Sequence, residues 1–408
     1  MKSDGSEAAS LRRPGLAIVL DRLVTAEPVA TAAELMAATG LSRPTVHSLC
    51  NELIELGLAL EVDGRRPEGP GRAGRTARTY TFNNGMAHVL GVDLGDHKVS
   101  VSIADLAGNQ INSRTETFPS LALSGQARIA VTRRLMRSVL RSAGLGSTSV
   151  LCAAVGVAAP VDRAGRIVGG EPGYLPGLAG MNLASNIGRG YDWPVLVEND
   201  ANLAALGEQW RGVGLGVDNA IVLLSGERLG AGLIAGGQLV RGHHHVAGEL
   251  AFLKLVSGVE DTTGIAGLAQ TLGRQVVTNT YSSPGAAGWL YTQSNGDANL
   301  VHADTVTDAA GRGALDAIDV LHDIAERMAR VIAVLATLLD PELIVFAGGG
   351  ADAFKVIHDD IMQRLPAFIP QPPRIAASTL GDRVVLDGAT KLALDHAHHQ
   401  LFKALKDH

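Results

Sequence analysis

The stretch Gly91-Val92-Asp93-Leu94-Gly95-Asp96-His97-Lys98-Val99 constrains this chain more than any other. Val89, Leu90 and Val92 before it, and Val99, Val101 and Ile103 after it, predict two buried strands joined by one short glycine turn. Such a turn leaves backbone N–H groups free to face an anion, as in a phosphate cradle. Two residues of this turn oppose that use. Asp96 puts a carboxylate where a phosphate would sit, and one like-charge pair at about 4 Å with an effective dielectric near 20 costs about 4 kcal/mol. His97 puts a bulky ring beside it.

Ahead of this stretch the pattern is helical. Leu16, Val19, Leu20 and Leu23 recur at i, i+3, i+4 and i+7, the stripe of an amphipathic helix. Thr31 and Glu34 form a capping box that starts a second helix, ending near Thr39-Gly40. Ser42 caps a third, with Pro44 tolerated in its first turn. Val46, Leu49, Leu53 and Leu56 make its buried stripe and leave Arg43, Thr45, His47, Ser48 and Asn51 facing outward. Two short helices around a glycine turn fit a plain helical hairpin or a helix-turn-helix.

The next segment favours the helix-turn-helix. Leu58–Val62 and Thr79–Phe82 pattern as strands, and the tip GRRPEGPGRAGRTAR between them carries Arg65, Arg66, Arg72, Arg75 and Arg78 against one acid, Glu68. A basic Gly/Pro-rich hairpin behind a helix-turn-helix is a wing that can reach phosphates or a minor groove. Residues 1–85 hold 10 basic and 10 acidic side chains, so the whole net charge of −6 lies beyond them and any nucleic-acid surface is a local patch. We expect Arg43, Thr45, His47 and Asn51, with Ser42 beside them, to face base edges in the major groove of duplex DNA, and wing arginines such as Arg72 and Arg75 to grip backbone or minor groove.

Beyond Asn83-Asn84-Gly85 strands and helices alternate. Strands are expected at about 88–95, 98–105 and 110–117, then a helix from about Ser124 to Ser142 and a strand at Val150–Val157. Val195–Val197 delivers Glu198-Asn199-Asp200-Ala201-Asn202 into a helix, and carboxylates at the carboxyl ends of strands line a ligand crevice in α/β folds. Ala220–Leu224 precedes the glycine-rich SGERLGAG, His243–Phe252 contains Ala247-Gly248-Glu249, and a long helix to Leu339 precedes strand Leu343–Phe346 and Ala347-Gly348-Gly349-Gly350.

Taken together these segments resemble the ROK family of repressors and sugar kinases, in the branch with an N-terminal winged helix. GLSRPTVHSLCNELIELGL resembles its DNA-reading helix, GVDLGDHKVSVSIADLAGN its first phosphate motif, ENDANLAALGE its catalytic-carboxylate motif, GAGLIAGGQLVRG with AGE its second glycine motif, and DPELIVFAGGG the segment near the adenosine. The resemblance spans about residues 12 to 400. It implies an α/β chain with a winged helix-turn-helix at 1–85 and a two-lobed actin-like (ribonuclease-H-like) sugar-kinase fold at 86–408. Lobe one would be about 86–200 plus the C-terminal helix, and lobe two about 201–385. In active members the residue matching Asp200 is the base for a sugar hydroxyl, while those matching Asn199 and Glu249 hold others. Chemically, Asp200 suits either deprotonating a hydroxyl or accepting its hydrogen bond.

The departures from the family pattern are as informative. The phosphate turn of the kinases reads Asp-x-Gly-Gly-Thr, where this chain has Asp96 and His97, and a second-loop Thr-Gly becomes Glu227-Arg228. Asp96 and Arg228 either face each other across the cleft and fill the phosphate site, or both point to solvent. The family's zinc-binding His and Cys are absent, with Phe252 at the His position and no Cys nearby, so neither that metal site nor another cofactor is expected. A family Glu falls on Gly267 and an Asn on Tyr174. His243-His244-His245 is a polar turn, of which His244 or His245 can touch the ligand, alongside Asn199, Asp200, Glu249 and Tyr174. His396, His398 and His399 are expected on a solvated helix face.

The expectation is therefore a regulator, a repressor, that is not an enzyme. It would act as a homodimer or homotetramer on an inverted-repeat operator, with a carbohydrate or sugar-derived effector. An active sugar kinase fused to a DNA reader, or a regulator with a non-sugar effector or none, are the alternatives. Hydrophobic content of 46% with 19% charged residues excludes a disordered chain. Apolar runs such as Val331–Leu339 are too short to span a membrane, the N-terminus lacks a signal-peptide core, and two cysteines exclude a disulfide framework, which together fit the cytoplasm.

Overall fold

A computed structural model describes residues 4–25, 29–62, 78–120, 122–167, 177–259, 263–282 and 288–407. The first unit runs α1 (Asp4–Thr25), β1 (Ala30–Thr31), α2 (Ala32–Thr39), α3 (Arg43–Glu55), β2 (Ala59–Val62) and β3 (Thr79–Phe82). Its local signals act as expected. Thr31 N–H donates to Glu34 Oε2 at 2.7 Å and Glu34 N–H to Thr31 Oγ1 at 3.2 Å, while Gly40 closes α2 in the left-handed region at φ 73°. Leu16, Val19, Leu20 and Leu23 bury against Val46, Leu49 and Leu53 of α3. Leu56 does not join them. It is 51% exposed, because α3 ends at Glu55 and the chain turns away through Gly57 before the stripe completes another step. The strands form a three-stranded antiparallel sheet in the order β1-β3-β2.

Two larger sheets come next. The first takes β4 (His88–Leu94), β5 (Lys98–Asp105), β6 (Gln110–Thr117), β7 (Val150–Val157) and β8 (Val195–Asn199), with α4 (Gly125–Ser142), α5 (Leu183–Gly188) and α6 (Asp200–Arg211) between or after them. The second takes β9 (Ala220–Ser225), β10 (Leu229–Ala235), β11 (Gln238–Leu239), β12 (Leu343–Ala347) and β13 (Arg374–Ala377). Its helices are α7 (Ile265–Ser282), α8 (Trp289–Gln293), α9 (Ala303–Gly311), α10 (Leu315–Leu339) and α11 (Ala351–Arg364), and α12 (Val384–Asp407) ends the chain. The orders are β6-β5-β4-β7-β8 and β11-β10-β9-β12-β13. Each sheet thus pairs its first three strands antiparallel and adds the last two in parallel beside the first. One plan is used twice, so the β4–β5 turn and the β9–β10 turn are topological equivalents.

Helix α12 returns across the molecule and packs on α6, β4, β7 and α1. Its crossing with α6 is made by backbone. A Cβ on Gly388 would lie 1.8 Å from the Leu203 carbonyl oxygen, and one on Gly207 would lie 2.4 Å from that of Val384. The far half of α12 meets the first unit: Leu401, Phe402 and Leu405 pack on the core that includes Leu16, Leu20 and Phe82. His398, expected in solvent, is half-buried here. Its Nε2–H donates to the Leu106 carbonyl at 2.8 Å and its ring meets Phe82 edge to face at 6.1 Å. A histidine at this point is covered because the first unit sits on the helix face that would otherwise be wet. Cys50 and Cys152 are free and buried, which pushes their thiols up to about 11 and about 12. No described helix is long and apolar enough to cross a membrane.

The α6–α12 crossing yields a stability prediction. Gly388→Ala forces two helices apart and should destabilise by ~3 kcal/mol, whereas Gly311→Ala, with open space around its Cβ, should not. Thermal melts of both variants make the comparison.

Candidate functional site

The two equivalent turns meet. In the β4–β5 turn, Gly95 N–H donates to the Lys98 carbonyl at 3.0 Å; in the β9–β10 turn, Gly226 N–H donates to that of Arg228 at 2.9 Å. Between them Arg228 Nη2 donates to Asp96 Oδ2 at 2.6 Å, and His97 Nε2 lies 3.5 Å from Glu227 Oε1. The four residues that depart from the family's phosphate loops therefore stand opposite one another in two pairs. Their environments differ. Asp96 and Arg228 are 27% and 31% exposed, shielded enough for the bond to matter, while His97 and Glu227 at 56% and 74% are screened by water. Lys98 adds a third pair, to Asp382 ahead of α12, at 2.7 Å.

Each turn is also held from behind. Arg128 of α4 is fully buried; its Nη1 donates to the Asp96 carbonyl at 2.7 Å and the Gly95 carbonyl at 3.3 Å, and its guanidinium lies 4.7 Å over the Phe118 ring. Burial pulls its pKa down, and the charge of Asp96 works against that. Behind the other turn, Gly264 N–H donates to the Glu227 carbonyl at 2.9 Å and Ile265 N–H to Ser225 Oγ at 3.0 Å. A Cβ on Gly267 would lie 2.6 Å from the Glu227 carbonyl oxygen. With the turn in this position, a glutamate at 267 does not fit.

Three carboxylates lie next to this junction. Asp200 opens α6 and accepts from Ala201 N–H at 2.8 Å. Burial, then the neighbouring Asp93 carboxylate, push its pKa up to about 7, with Glu249 adding to the rise and Ala201 N–H and Arg228 opposing it. Asp93 of β4 is pushed up to about 6, again mainly by burial, against the pull of Lys98. Burial also raises Glu249. The site expected from the sequence lacks Asp93, although it is the first carboxylate of the opening motif. That Asp200, which follows β8 of the same sheet, becomes its neighbour cannot be read along the chain. Asn199 has a second duty: its Oδ1 caps α6 by accepting from Asn202 N–H at 3.1 Å and its Nδ2 donates to the Ala159 carbonyl at 3.3 Å. Glu198, nearly buried, accepts from Arg241 Nε at 2.6 Å and Asn202 Nδ2 at 2.9 Å, which ties β8 to the loop after β11.

The histidine turn faces the loop after β7, in a cavity whose lining holds none of the three carboxylates. His243, His244, His245 and Val246 face Asp162, Arg163, Ala164 and Arg166 of the loop after β7 around a cavity of about 570 Å³. Arg163 Nε donates to His245 Nε2 at 3.2 Å. Among the described residues no group of three His, Cys, Asp or Glu is placed to hold a metal ion. Tyr174 and the Phe252 side chain lie outside the described residues, as do Arg72 and Arg75 of the wing tip.

On α3, Arg43, Thr45 and Asn51 are exposed. Ser42 spends its hydroxyl on the cap, bonded to Thr45 Oγ1 at 2.7 Å and accepting from Thr45 N–H at 3.4 Å. His47 departs from the expected outward pose. It is half-buried and its Nδ1 is bonded to the Tyr80 hydroxyl at 2.7 Å, because β3 brings that tyrosine under the helix. Only the far edge of the ring is left for a partner outside.

A helix-turn-helix with two antiparallel strands behind it, followed by paired ribonuclease-H-like sheets around a carboxylate-lined cleft, defines a helix-turn-helix unit joined to an actin-like fold of the sugar-kinase type. The chain belongs to the ROK family, whose model matches residues 89–396, and an IclR helix-turn-helix domain model matches residues 17–63. A glucokinase of Streptomyces coelicolor is 28% identical over 323 residues, 76% of this chain and 98% of its own length. An N-acetyl-D-glucosamine kinase of Yersinia pseudotuberculosis is 30% identical over 229 residues, 54% of this chain and 73% of its own. A ROK family transcriptional regulator, homologue of the E. coli MLC protein, shares the fold over 97% of this chain and 99% of its own, with TM-score 0.75 at 19% identity. A Streptomyces griseus ROK glucokinase solved with glucose and AMPPNP covers 76% of this chain and 100% of its own, with TM-score 0.62 at 24% identity.

The Asp200 environment makes a pH prediction. Its folded-state pKa of about 7 stands above the ordinary 3.8, so the folded chain holds this proton more tightly than the unfolded one. The resulting stability is full below about pH 4 and is lost as pH rises through about 7. Melting temperature should fall between about pH 4 and pH 7 in the native chain and fall less in Asp200→Asn, read by calorimetry across that window.

Proposed function

We propose that this chain is a DNA-binding transcription regulator, a repressor, whose kinase-like part (86–408) senses a carbohydrate and no longer transfers phosphate, while 1–85 reads the operator. The observation that carries this reading is the Asp96–Arg228 pair at 2.6 Å. It places a carboxylate and a guanidinium in the space between the two glycine turns. A triphosphate there would have to displace Arg228 from its partner and then face the unpaired Asp96 charge, at a cost of several kcal/mol. Asp200, Glu249 and Asn199 remain to accept and donate hydrogen bonds to sugar hydroxyls, with His244 or His245 at the mouth.

Signal transfer follows from packing. Asp200 opens α6, α6 crosses α12 at backbone distance, and α12 carries α1. A ligand that prefers one spacing of the two sheets thereby tilts α12 and the reader with it, which links ligand binding to DNA affinity. In a symmetric homodimer or homotetramer the paired readers match an inverted repeat. Arg43, Thr45 and Asn51 supply base contacts and the wing arginines backbone contacts.

A second reading, an active kinase with an attached reader, is favoured by one feature. A carboxyl group with a pKa near 7, as at Asp200, is suited to act as a general base. Nucleotide binding separates the two. Calorimetry with AMPPNP should show no binding to the native chain, and the fourfold replacement Asp96→Gly, His97→Thr, Glu227→Thr, Arg228→Gly should restore it. Native binding, or sugar-dependent ATP turnover in a coupled assay, would sink the regulator-only form.

The reader is tested independently. On an operator selected from random duplexes, Arg43→Ala and Asn51→Ala should each weaken binding by about tenfold or more, and affinity should fall steeply with added salt. Unchanged affinity in both variants removes α3 as the reading helix.

A further inference from the structure

We infer that the cavity between the loop after β7 and the histidine turn is a binding subsite for a phosphate group, so that the effector sensed here is a phosphorylated one. This deepens the carbohydrate-sensor reading and rests on it. The lining is lopsided in charge. Arg163, Arg166, His243, His244 and His245 surround about 570 Å³ with a single carboxylate, Asp162. That carboxylate is already consumed. Its Oδ1 accepts from the Ala164 and Arg166 N–H groups at 2.9 and 3.0 Å, and its Oδ2 accepts from Arg166 Nε at 2.9 Å, so it folds its own loop and neutralises Arg166, which leaves the Arg163 charge unbalanced in the lining.

Arg163 is the centre of the site. Among the described residues it makes no ion pair, and only its Nε is bonded, to His245 Nε2. Both terminal nitrogens of the guanidinium are left without a partner there, and that fork fits two oxygens of a phosphate at once. His245 is held opposite it by a costly backbone. It sits at φ 59°, in the left-handed region that disfavours a side chain, between Gly242 at φ 73° and Gly248 at φ 85°. The loops come from the two different sheets, so a phosphate on the Arg163 fork, beside His245, would touch both loops at once. Position argues for the same ligand as the cleft. The β7 loop begins at Ala159, whose carbonyl receives the Asn199 amide, and the histidine turn runs on through Ala247 and Gly248 into Glu249. A metal ion is the wrong occupant, since the donors do not converge among the described residues.

Calorimetry with inorganic phosphate, glucose and glucose 6-phosphate tests the site on the native chain, Arg163→Gln and Arg228→Gln, at fixed pH and ionic strength. Arg163 is exposed, so its replacement leaves folding intact, and matched melting curves check this. The expected result is millimolar binding of inorganic phosphate, weakened about tenfold or more by Arg163→Gln and unchanged by Arg228→Gln, with glucose 6-phosphate tighter than either glucose or phosphate. Absence of phosphate binding up to about 20 mM, equal binding by Arg163→Gln, or loss in Arg228→Gln alone would each overturn the inference. Release of operator DNA by a neutral sugar, with no phosphate effect, overturns this subsite and leaves the sensor standing. Phosphate binding at Arg163 with no DNA response to any carbohydrate does the reverse.

Discussion

Backbone-to-backbone contact between α6 and α12 sets the spacing on which the rest of the molecule depends. With no side chains at Gly207 and Gly388, the Leu203 and Val384 carbonyls come within reach of the opposing helix. One helix begins at Asp200 in the cleft and the other ends against α1 of the reader unit. Contacts this tight tolerate little independent motion of the two helices. A displacement of Asp200 must be absorbed elsewhere, and the elements free to absorb it are the loops that bridge the sheets.

Those bridges have different physical strengths. The Asp96–Arg228 bond is partly shielded and braced by Arg128 on one side and by the chain at Gly264 on the other. The His97–Glu227 and Lys98–Asp382 pairs lie in water and hold weakly. Glu198–Arg241 is the most deeply placed of the inter-sheet pairs, with the carboxylate satisfied by three partners. The Arg163–His245 contact is a single bond in an open cavity. Because the two sheets repeat one strand order, the junction joins equivalent hairpins. Residues facing each other there must be compatible in charge, and Asp96 with Arg228 and His97 with Glu227 are.

Much of the architecture was legible along the chain. The heptad-like spacing of Leu16, Val19, Leu20 and Leu23, the Thr31–Glu34 box and the alternation around Gly95 are local signals, and local geometry dictates the elements they start. The limits of legibility are also local in cause. Leu56 carries the right spacing but lies past the helix end. His47 and His398 read as surface histidines, and each is covered by a residue far away in sequence, Tyr80 or Phe82. Gly91 reads as part of the turn motif, yet its lack of a Cβ serves α12, since that atom would lie 2.4 Å from Thr390 Oγ1.

By itself the sequence determined the order of the elements, the family motifs and the identity of the four altered phosphate-loop residues, because each of these is carried by neighbours in the chain. Two outcomes were open to Asp96 and Arg228 until the sheets were placed together. Their meeting depends on how far apart the two hairpins stand, a distance set by α6, α12 and the sheet packing and by no residue in either turn. The same holds for Asp93 beside Asp200, and for Arg163 across from His245. Charges more than 80 residues apart acquire a partner, or a raised pKa, only when burial and topology bring them to a few ångströms.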